Sequence, residues 1–202
     1  MPKRPASYKP RKIPSQERAQ ATYQAILDAA AQFLTSRPDA DFDTNAVAER
    51  AGVSIGSLYQ YFPNKGAVLS ALIERQAERK LTRLRELLST DTPVELEQRI
   101  EQIMSVFVAH TSADFALERA LAVHFMRVGD VSAMGKIEAP AIAALTPLCG
   151  HDSLRAFILL HAVRAVLLGG AVARPQSLDD GSLRAELVTL VRGYLRECGA
   201  LG

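Results

Sequence analysis

Two short apolar patterns on either side of one glycine constrain the fold of this chain more than any other feature. They lie in VAERAGVSIGSLYQYF, residues 47–62. Gly52 is expected to end the first helical run, because glycine readily adopts the left-handed conformation that closes a helix. Ser54 is a suitable N-cap for the second run, and Pro63 prevents that run from continuing. Helices this short are unstable alone, so other elements must support them.

A longer helix on each side is predicted to supply that support. Apolar residues recur at helical spacing over residues 15–36, with Ser15 as the N-cap, and Asn64 caps a long helix that follows. Asp43 or Thr44 caps the first of the two short helices. Two short helices joined by a glycine turn, after a longer helix, form a helix-turn-helix. Its predicted core consists of Ile26, Ala30, Phe33, Ala48, Val53, Leu58 and Phe62.

The remaining sequence also carries helical patterns, with no convincing strand and no internal repeat. Thr92-Pro93-Val94-Glu95 combines a capping box with proline at the first helical position, which predicts a helix running to about His110. Further helices are expected over residues 114–127, 131–145, 152–173 and 182–197, with Pro140 interrupting the second and a polar loop at 176–181. The fold class is therefore predicted to be all-α.

The composition, with 48% hydrophobic and 23% charged residues, is typical of a soluble globular protein. No uninterrupted apolar run reaches the ~18–20 residues that cross a bilayer, since the longest, 156–173, contains His161 and Arg164. The basic N-terminus lacks the apolar core of a signal peptide. Cys149 and Cys198 lie far apart in the sequence and predict neither a disulfide framework nor metal ligation. A cytoplasmic protein without a membrane partner is expected.

The net charge of +2 conceals an asymmetry along the chain. Residues 1–80 contain 12 Lys and Arg against 8 Asp and Glu, whereas residues 81–202 contain 12 against 14. Half of the basic residues in the first part lie within residues 1–18. Because prolines are interspersed there, residues 1–14 are predicted to form a basic, disordered arm. Such an arm is either a solubilising tail or a segment that contacts phosphates or enters a minor groove.

The second short helix has a surface suited to a nucleic-acid groove. When Leu58 and Phe62 face the core, no acidic residue is left on the opposite face. A face meant only for water would usually carry Glu and Lys. Small residues, aromatic hydroxyls and an amide instead suit phosphates and base edges. This face comprises Ile55, Gly56, Ser57, Tyr59, Gln60 and Tyr61.

The same region resembles the tetracycline-repressor (TetR) family of bacterial transcription regulators. The matching text is AILDAAAQFL at 25–34 and TNAVAERAGVSIGSLYQYFPNKGAVLSALI at 44–73. The resemblance covers about residues 16–75 closely, and the remainder only in helix number and length. It implies an N-terminal three-helix DNA-binding domain with a helix-turn-helix, residues 15–64. A long helix would join this domain to a C-terminal helical ligand-binding and dimerisation domain, residues 65–202.

Carried over residue by residue, the resemblance assigns roles in binding double-stranded DNA. Thr44 matches a phosphate contact, and Asn45 a base or backbone contact. Base-facing positions are matched by Ile55, Gly56, Tyr59 and Gln60, and phosphate-gripping positions by Ser57, Tyr61 and Lys65. The implied protein is a homodimer on a near-palindromic operator, most often a repressor released by a small-molecule effector. The alternative is a DNA-binding organiser or division factor of the same fold with no small inducer.

The last two long helices are the candidate dimer interface. The helix over 152–173 is apolar on more than one face, and Gly169-Gly170 near its end would permit close helix approach. Family analogy pairs it and the final helix with their twofold mates in a four-helix bundle. The alternative is a buried central helix in a monomer. The predicted interior contacts are Phe157, Leu160, Leu167, Leu187, Val191 and Tyr194.

Polar side chains on otherwise apolar helices mark a candidate effector site. His161 and Arg164 are one turn apart, and with aromatic neighbours this cationic pair could receive an anionic or aromatic ligand. Internal pairing, or pairing at a dimer seam, is the structural alternative for each of them. The candidate ligand-binding residues are Phe107, His110, His124, Phe125, Arg127, Phe157, His161 and Arg164.

No metal, cofactor or enzymatic activity is predicted. The histidines lack HxxxH spacing and clear carboxylate partners. The sequence contains no recognisable nucleophile–base pair and no glycine-rich phosphate loop.

Overall fold

The computed structural model describes residues 16–37, 40–89, 95–108, 116–123 and 132–198. All regular secondary structure in these ranges is helical, so the all-α prediction is confirmed. The helices are α1 Glu17–Ser36, α2 Thr44–Arg50, α3 Ile55–Tyr61, α4 Lys65–Leu88, α5 Leu96–Phe107, α6 116–123, α7 Ser132–Leu145, α8 Ser153–Ala173, α9 Pro175–Asp179 and α10 Ser182–Glu197, with a 3-10 turn at Thr146–Cys149. Ser15, the predicted cap of α1, and the basic arm 1–14 lie outside the described residues.

Side-chain caps begin the helices around the turn as the sequence predicts. The Asp43 carboxylate accepts from the backbone N–H of Asn45 at 2.8 Å and begins α2. The Ser54 hydroxyl accepts from Ser57 N–H at 3.1 Å and begins α3, and the Asn64 side chain accepts from Ala67 N–H at 2.9 Å and begins α4. Each cap satisfies a backbone donor that has no partner inside its own helix.

The turn between α2 and α3 depends on the backbone of Gly52. Its φ is +68°, in the left-handed region that L side chains rarely adopt. The Gly52 N–H donates to Glu49 C=O at 3.0 Å, and the Val53 N–H donates to Ala48 C=O at 3.0 Å. This pair of bonds is the Schellman arrangement that closes a helix. Because a Cβ at Gly52 would meet nothing within 4 Å, the dihedral angle and not crowding requires glycine there.

An N-terminal core cluster joins α1, α2, α3 and the first half of α4. Leu58 and Phe62 are fully buried, and the Phe62 ring stacks on Tyr23 with centroids 4.9 Å apart. The predicted core is confirmed except that Val53 is only partly buried. The cluster continues to Leu72 in α4, past the predicted domain boundary at residue 64, and it also includes Leu117 and Leu121 of α6. The α6 helix therefore packs directly on the helix-turn-helix domain.

A second core cluster occupies the C-terminal part. It draws on the end of α4 and on α5, α7, α8 and α10, together with the 3-10 turn. Two ion pairs fasten α10 to α5, Arg184–Glu101 and Arg192–Glu97, each at 2.6 Å. The Gly170 position of α8 is also close to α10, since a Cβ there would lie 2.5 Å from Leu183 Cδ2. The last helix is thus held tightly to its own protomer.

Three local predictions are wrong. The α5 helix begins at Leu96, because Glu95 is extended at φ −54° and ψ 139°, and it ends at Phe107 rather than near His110. The α7 helix continues through Pro140. The segment predicted as a polar loop at 176–181 contains most of α9, which begins with Pro175 at a position where a missing N–H costs nothing.

The α8 helix matches the apolar helix predicted over 152–173 to within one residue. It has 21 residues and a mean hydropathy of 2.0, and by length and composition alone it could cross a membrane. This test differs from the expectation based on uninterrupted apolar runs, because a mean hydropathy tolerates His161 and Arg164 within the helix. A core helix of a soluble protein passes the same test. Here α8 packs against α7, α9 and α10.

Candidate DNA-binding surface and effector cavity

The N-terminus of α2 lies beside the middle of α3. The Thr44 hydroxyl and the Tyr59 phenol form a hydrogen bond at 3.1 Å, although the two residues are 15 positions apart. Asn45, the next residue of α2, is exposed. Hydroxyl and amide groups from two helices are therefore presented together at one surface.

The outer face of α3 carries the predicted base-facing residues. Ile55 and Tyr59 are large side chains that remain 37% and 40% exposed, and Gly56 and Gln60 are exposed beside them. Leu58, on the opposite face, has no exposed surface. Residues four apart share a helix face, as Ile55 and Tyr59 or Gly56 and Gln60 do, so the helix separates a packed side from a free side.

The predicted phosphate-contacting residues flank this face. The Ser57 and Ser54 hydroxyls are 2.8 Å apart. The Tyr61 ring packs edge-on against Tyr23 at 6.2 Å and is partly buried, while Lys65 is exposed at the start of α4. The structure brings all the predicted DNA-binding residues onto α2, α3 and the first turn of α4, and their contacts with DNA stay a prediction.

A polar link behind this surface ties α1 to α4. The Arg75 guanidinium is nearly buried. It donates to the Asp28 carboxylate at 2.7 Å and to the side-chain amide oxygen of Gln24 at 3.2 Å. Burial lowers the pKa of Arg75, and the bond to Asp28 opposes that shift. Burial, with a smaller contribution from the nearby Glu74, raises the pKa of Tyr23 to about 12, so this phenol stays protonated at neutral pH. The link holds the reading head, the packed unit of α1, α2 and α3, at a set angle to the long helix.

A cavity of about 210 Å³ lies between α4, α6, α7 and α8. Most of its wall is aliphatic, and four charged side chains also face it. The lining includes Ile73, Ala77, Leu81, Leu84, Leu121, Ala122, Ala141, Leu160, Leu167 and Leu168, with the charged residues Lys80, Glu118, Glu138 and Arg164. An apolar cleft or cavity with a few polar groups is the usual form of a small-molecule site.

The charged residues of the wall differ in their partners. Lys80 donates to the carboxylate of Glu118 and to the backbone carbonyl of Phe107, the latter at 3.1 Å. Glu138 lies 3.5 Å from His161 Nε2, a contact that is an ion pair only when the imidazole is protonated. The Lys80–Glu118 pair joins α4 to α6 across the cavity wall.

Only part of the predicted ligand-binding set lies at this cavity. Phe107 and Arg164 line it. His161 does not, because its ring stacks on Phe157 at 4.1 Å and its Nδ1 lies 3.0 Å from the Phe157 carbonyl oxygen. Phe157 itself is 40% exposed and is also absent from the wall. His110, His124, Phe125 and Arg127 lie outside the described residues.

The predicted dimer residues divide between core and surface. Leu160, Leu187 and Val191 are buried in the protomer's own C-terminal cluster, and Leu167 and Tyr194 pack against it. Leu160, Leu187 and Val191 therefore make their main contacts within one chain, and the role of these five residues at a seam stays a prediction. Phe157 is exposed, and the sequence analysis missed the other large apolar side chains that share its exposure. These are Leu154, Ile158, Val166 and Val172 on α8 and Leu190 on α10.

The sequence analysis also missed Lys80, Glu118 and Glu138 at the cavity. The sequence does mark Lys80 as unusual, because it follows Ile73 and Ala77 at helical spacing and so interrupts an apolar stripe of α4. A charged residue in such a stripe is either paired or at a site. No comparable signal marks Glu118 or Glu138.

The fold and the surface of α3 define a helix-turn-helix unit of the kind that DNA-binding proteins use. Residues 26–72 match the family described as bacterial regulatory proteins, tetR family. The matched residues run from α1 into α4 and include the whole helix-turn-helix.

Individual curated relatives match about half of the chain. The nucleoid occlusion factor SlmA of Marinomonas sp. (strain MWYL1) is 34% identical over 96 residues, which are 48% of this chain and 48% of SlmA. The HTH-type transcriptional regulator UidR of Escherichia coli (strain K12) is 31% identical over 114 residues, which are 56% of this chain and 55% of UidR. The chain thus spans about half the length of the curated relatives it matches.

A solved structure extends the likeness to the whole fold. The TetR-family transcriptional regulator from Streptomyces coelicolor superposes with a TM-score of 0.60 at 22% identity, covering 88% of this chain and 99% of that chain. At this identity the superposition shows a shared fold.

Proposed function

We propose that this protein is a cytoplasmic, homodimeric transcriptional regulator that binds a near-palindromic operator and is released from it by a small molecule, acting as a repressor. One observation carries this proposal: Leu121 of α6 belongs to the core of the DNA-binding domain and also lines the cavity. Ile73 of α4 likewise packs against that core and lines the cavity. A ligand that moves these side chains changes the packing under the reading head.

The Lys80–Glu118 pair supplies a further link. It fastens α6 to α4 at the cavity wall. A ligand inserted between α4 and α6 has to displace or reorient this pair. Because Leu117 and Leu121 lie on the same short helix as Glu118, that movement reaches the N-terminal cluster. A ligand that moves Glu118 would therefore also move Leu117 and Leu121 in the N-terminal cluster.

A direct experiment tests the proposal. Binding-site selection with the purified protein would provide an operator, and fractionated cell extract would then be titrated onto the complex. We expect a low-molecular-weight fraction to release the DNA. Operator binding that no fraction alters would favour the alternative, an organiser or division factor with no inducer, which the similarity to SlmA supports.

A second copy of the chain is the proposed occupant of the free faces of α8 and α10. Gly169 on α8 and Gly193 on α10 support this assignment. A Cβ at either position would meet nothing within 4 Å in the protomer. Glycine inside a helix costs up to about 1 kcal/mol relative to alanine, so packing within the protomer does not explain either residue. Close approach of a partner helix does, and Leu154, Ile158 and Leu190 on the same exposed faces would supply the apolar contact.

The basic arm is expected to contribute to affinity through phosphates. Deleting residues 1–14 removes Lys3, Arg4, Lys9, Arg11 and Lys12. The log–log slope of operator binding against salt should then flatten by about 0.9 for each phosphate that the arm neutralises in the intact protein. Titrations between low and physiological salt measure this slope. A deletion that leaves the slope unchanged would make the arm a solubilising tail.

Substitutions at Gln60 and Tyr61 are expected to change operator affinity in different ways. The exposed Gln60 can bond adenine through two hydrogen bonds, so Gln60→Ala should cost about 1–3 kcal/mol at one base pair of each half-site and little elsewhere. Tyr61→Phe keeps the ring on Tyr23 and removes only the hydroxyl, so all sequences should weaken alike. Affinities for a panel of single-base operator variants separate the two patterns. A uniform loss for Gln60→Ala would remove its reading role.

A further inference from the structure

We propose that the cavity selects a monoanionic amphiphile, a carboxylate carried on an apolar alkyl or aryl body, and that Arg164 binds the carboxylate. The inference deepens the proposed function, on which it rests for its regulatory consequence. It concerns the chemical class of the effector and the residue that distinguishes that class.

The cavity wall determines the character of the ligand body. The side chains of Leu81, Leu84 and Leu160, together with those around them, leave few hydrogen-bonding groups along most of the surface. Burial of an apolar body against such a wall is favourable in proportion to its area. A sugar or a nucleotide, by contrast, would leave many polar groups without partners.

The four charged residues determine the character of the head group. Lys80 and Glu118 neutralise each other, and Lys80 is further held by the Phe107 carbonyl. Glu138 faces His161. Arg164 makes no hydrogen bond or ion pair with any other residue in the described ranges of the chain. It is therefore the cation at this wall that has donors left for a ligand.

An arginine in this position favours a carboxylate over other anions or a neutral polar group. The planar guanidinium offers parallel N–H donors that match the two oxygens of one carboxylate. The apolar surroundings strengthen the interaction, since less water competes for it. Arg164 lies near Leu167 and Leu168 on α8, so the head group would sit at α8 and the body would extend toward α4 and α6. That placement puts the apolar end against Leu121.

The test compares head groups on one body. Octanoate, octanol and octylammonium, with 4-phenylbutyrate as an aryl carboxylate, would be titrated into the full-length protein without DNA by calorimetry. Octanoate should bind about tenfold or more tightly than octanol, the scale of one charge-assisted hydrogen bond, and octylammonium should bind more weakly than octanol. Equal affinities for the three head groups, or a preference for octylammonium, would overturn the inference.

Variants of Arg164 assign the selection to one residue. Arg164→Gln should remove the preference for octanoate over octanol and leave octanol binding unchanged, whereas Arg164→Lys should retain part of the preference. Arg174→Gln is the matched control, because it removes an exposed cation at the end of the same helix. A preference that survives Arg164→Gln would contradict the assignment. Unchanged octanol binding also shows that the cavity of the variant is intact.

Operator release is a separate measurement. If octanoate is selected through Arg164 but does not release the operator, this inference stands and the effector-released regulator fails. If an extract fraction releases the operator while no carboxylate preference exists, the proposed function stands and this inference fails.

Discussion

Ile158→Asp combined with Leu190→Asp is expected to separate the dimer and to weaken operator binding by at least about a hundredfold. Each carboxylate would be buried without a partner at the proposed seam, at a cost of several kcal/mol. A separated protomer brings only one helix-turn-helix to the operator, and one such motif reads only a few base pairs. Both side chains are exposed in the protomer, at 44% and 47%, so the monomer should keep its helical content. Sedimentation and operator binding measure the two effects.

Gln98→Asp provides the matched control for added charge. Gln98 is exposed on α5, which is not one of the two proposed seam helices, so its variant should remain dimeric and bind DNA normally. Gly169→Leu tests the seam without adding charge. It should not destabilise the monomer, since a Cβ there has open space in the protomer, yet it should obstruct the partner helix. Dimers of both seam variants at micromolar concentration would place the interface elsewhere.

Leu187→Asp, which the sequence alone suggests for this purpose, would measure something different. Leu187 is 2% exposed and belongs to the core of the C-terminal cluster. A carboxylate at this position should unfold the protomer rather than only separate the dimer. Loss of DNA binding by such a variant could not be attributed to the interface.

The helix-turn-helix was predictable because its signals are local. Asp43, Ser54 and Asn64 cap the helices that follow them through bonds spanning two or three residues. Gly52 ends α2 through its own dihedral angle. Hydrophobic spacing then separates Leu58, which is buried, from Tyr59, which is exposed. Each of these relations lies within one turn or two of helix, where sequence patterns are most informative.

Sequence patterns could not predict which apolar residues of α8 and α10 face the core of the protomer and which are exposed. Apolar residues occur on both faces, as with Leu187 and Leu190 of α10, which lie on the core side and the free side respectively. Periodicity identifies an apolar face but not its partner. When one face packs within the protomer and another is free, only the tertiary arrangement distinguishes them. For this reason the sequence did not indicate that Leu160 and Val191 are buried within the protomer.

The cavity depended on contacts between residues distant in the sequence. Lys80 and Glu118 are 38 positions apart. Charged residues on helices usually mark a solvated face, and nothing in the sequence near Glu118 indicates a buried partner. The sequence did identify Arg164, because a charged residue interrupts an otherwise apolar helix there. Its neighbour His161 carries the same signal yet is turned toward Glu138 and Phe157, so the signal alone does not separate a ligand-facing residue from an internally paired one.

Leu58→Ala is expected to lower the stability of the reading head, whereas Ile55→Ala is expected to change only its recognition of DNA. The two aliphatic residues lie three positions apart on α3, and Leu58 has no exposed surface whereas Ile55 is 37% exposed. Leu58→Ala should destabilise the N-terminal domain by about 2–5 kcal/mol, the cost of a cavity in a packed core. Ile55→Ala should change stability by less than about 0.5 kcal/mol, as surface substitutions usually do. Thermal and denaturant unfolding measure both values.

The DNA-binding results should differ in kind. Leu58→Ala removes the support of α3, so affinity for every sequence should fall together as the domain unfolds. The proposed dimer through α8 and α10 should persist. Ile55→Ala should lose affinity only where an apolar contact to a thymine methyl is made, and replacing that thymine by uracil in the operator should abolish the difference between the variant and the native protein. If Ile55→Ala destabilises the domain as much as Leu58→Ala, α3 does not present Ile55 to the groove, and the assignment of its outer face to base recognition is wrong.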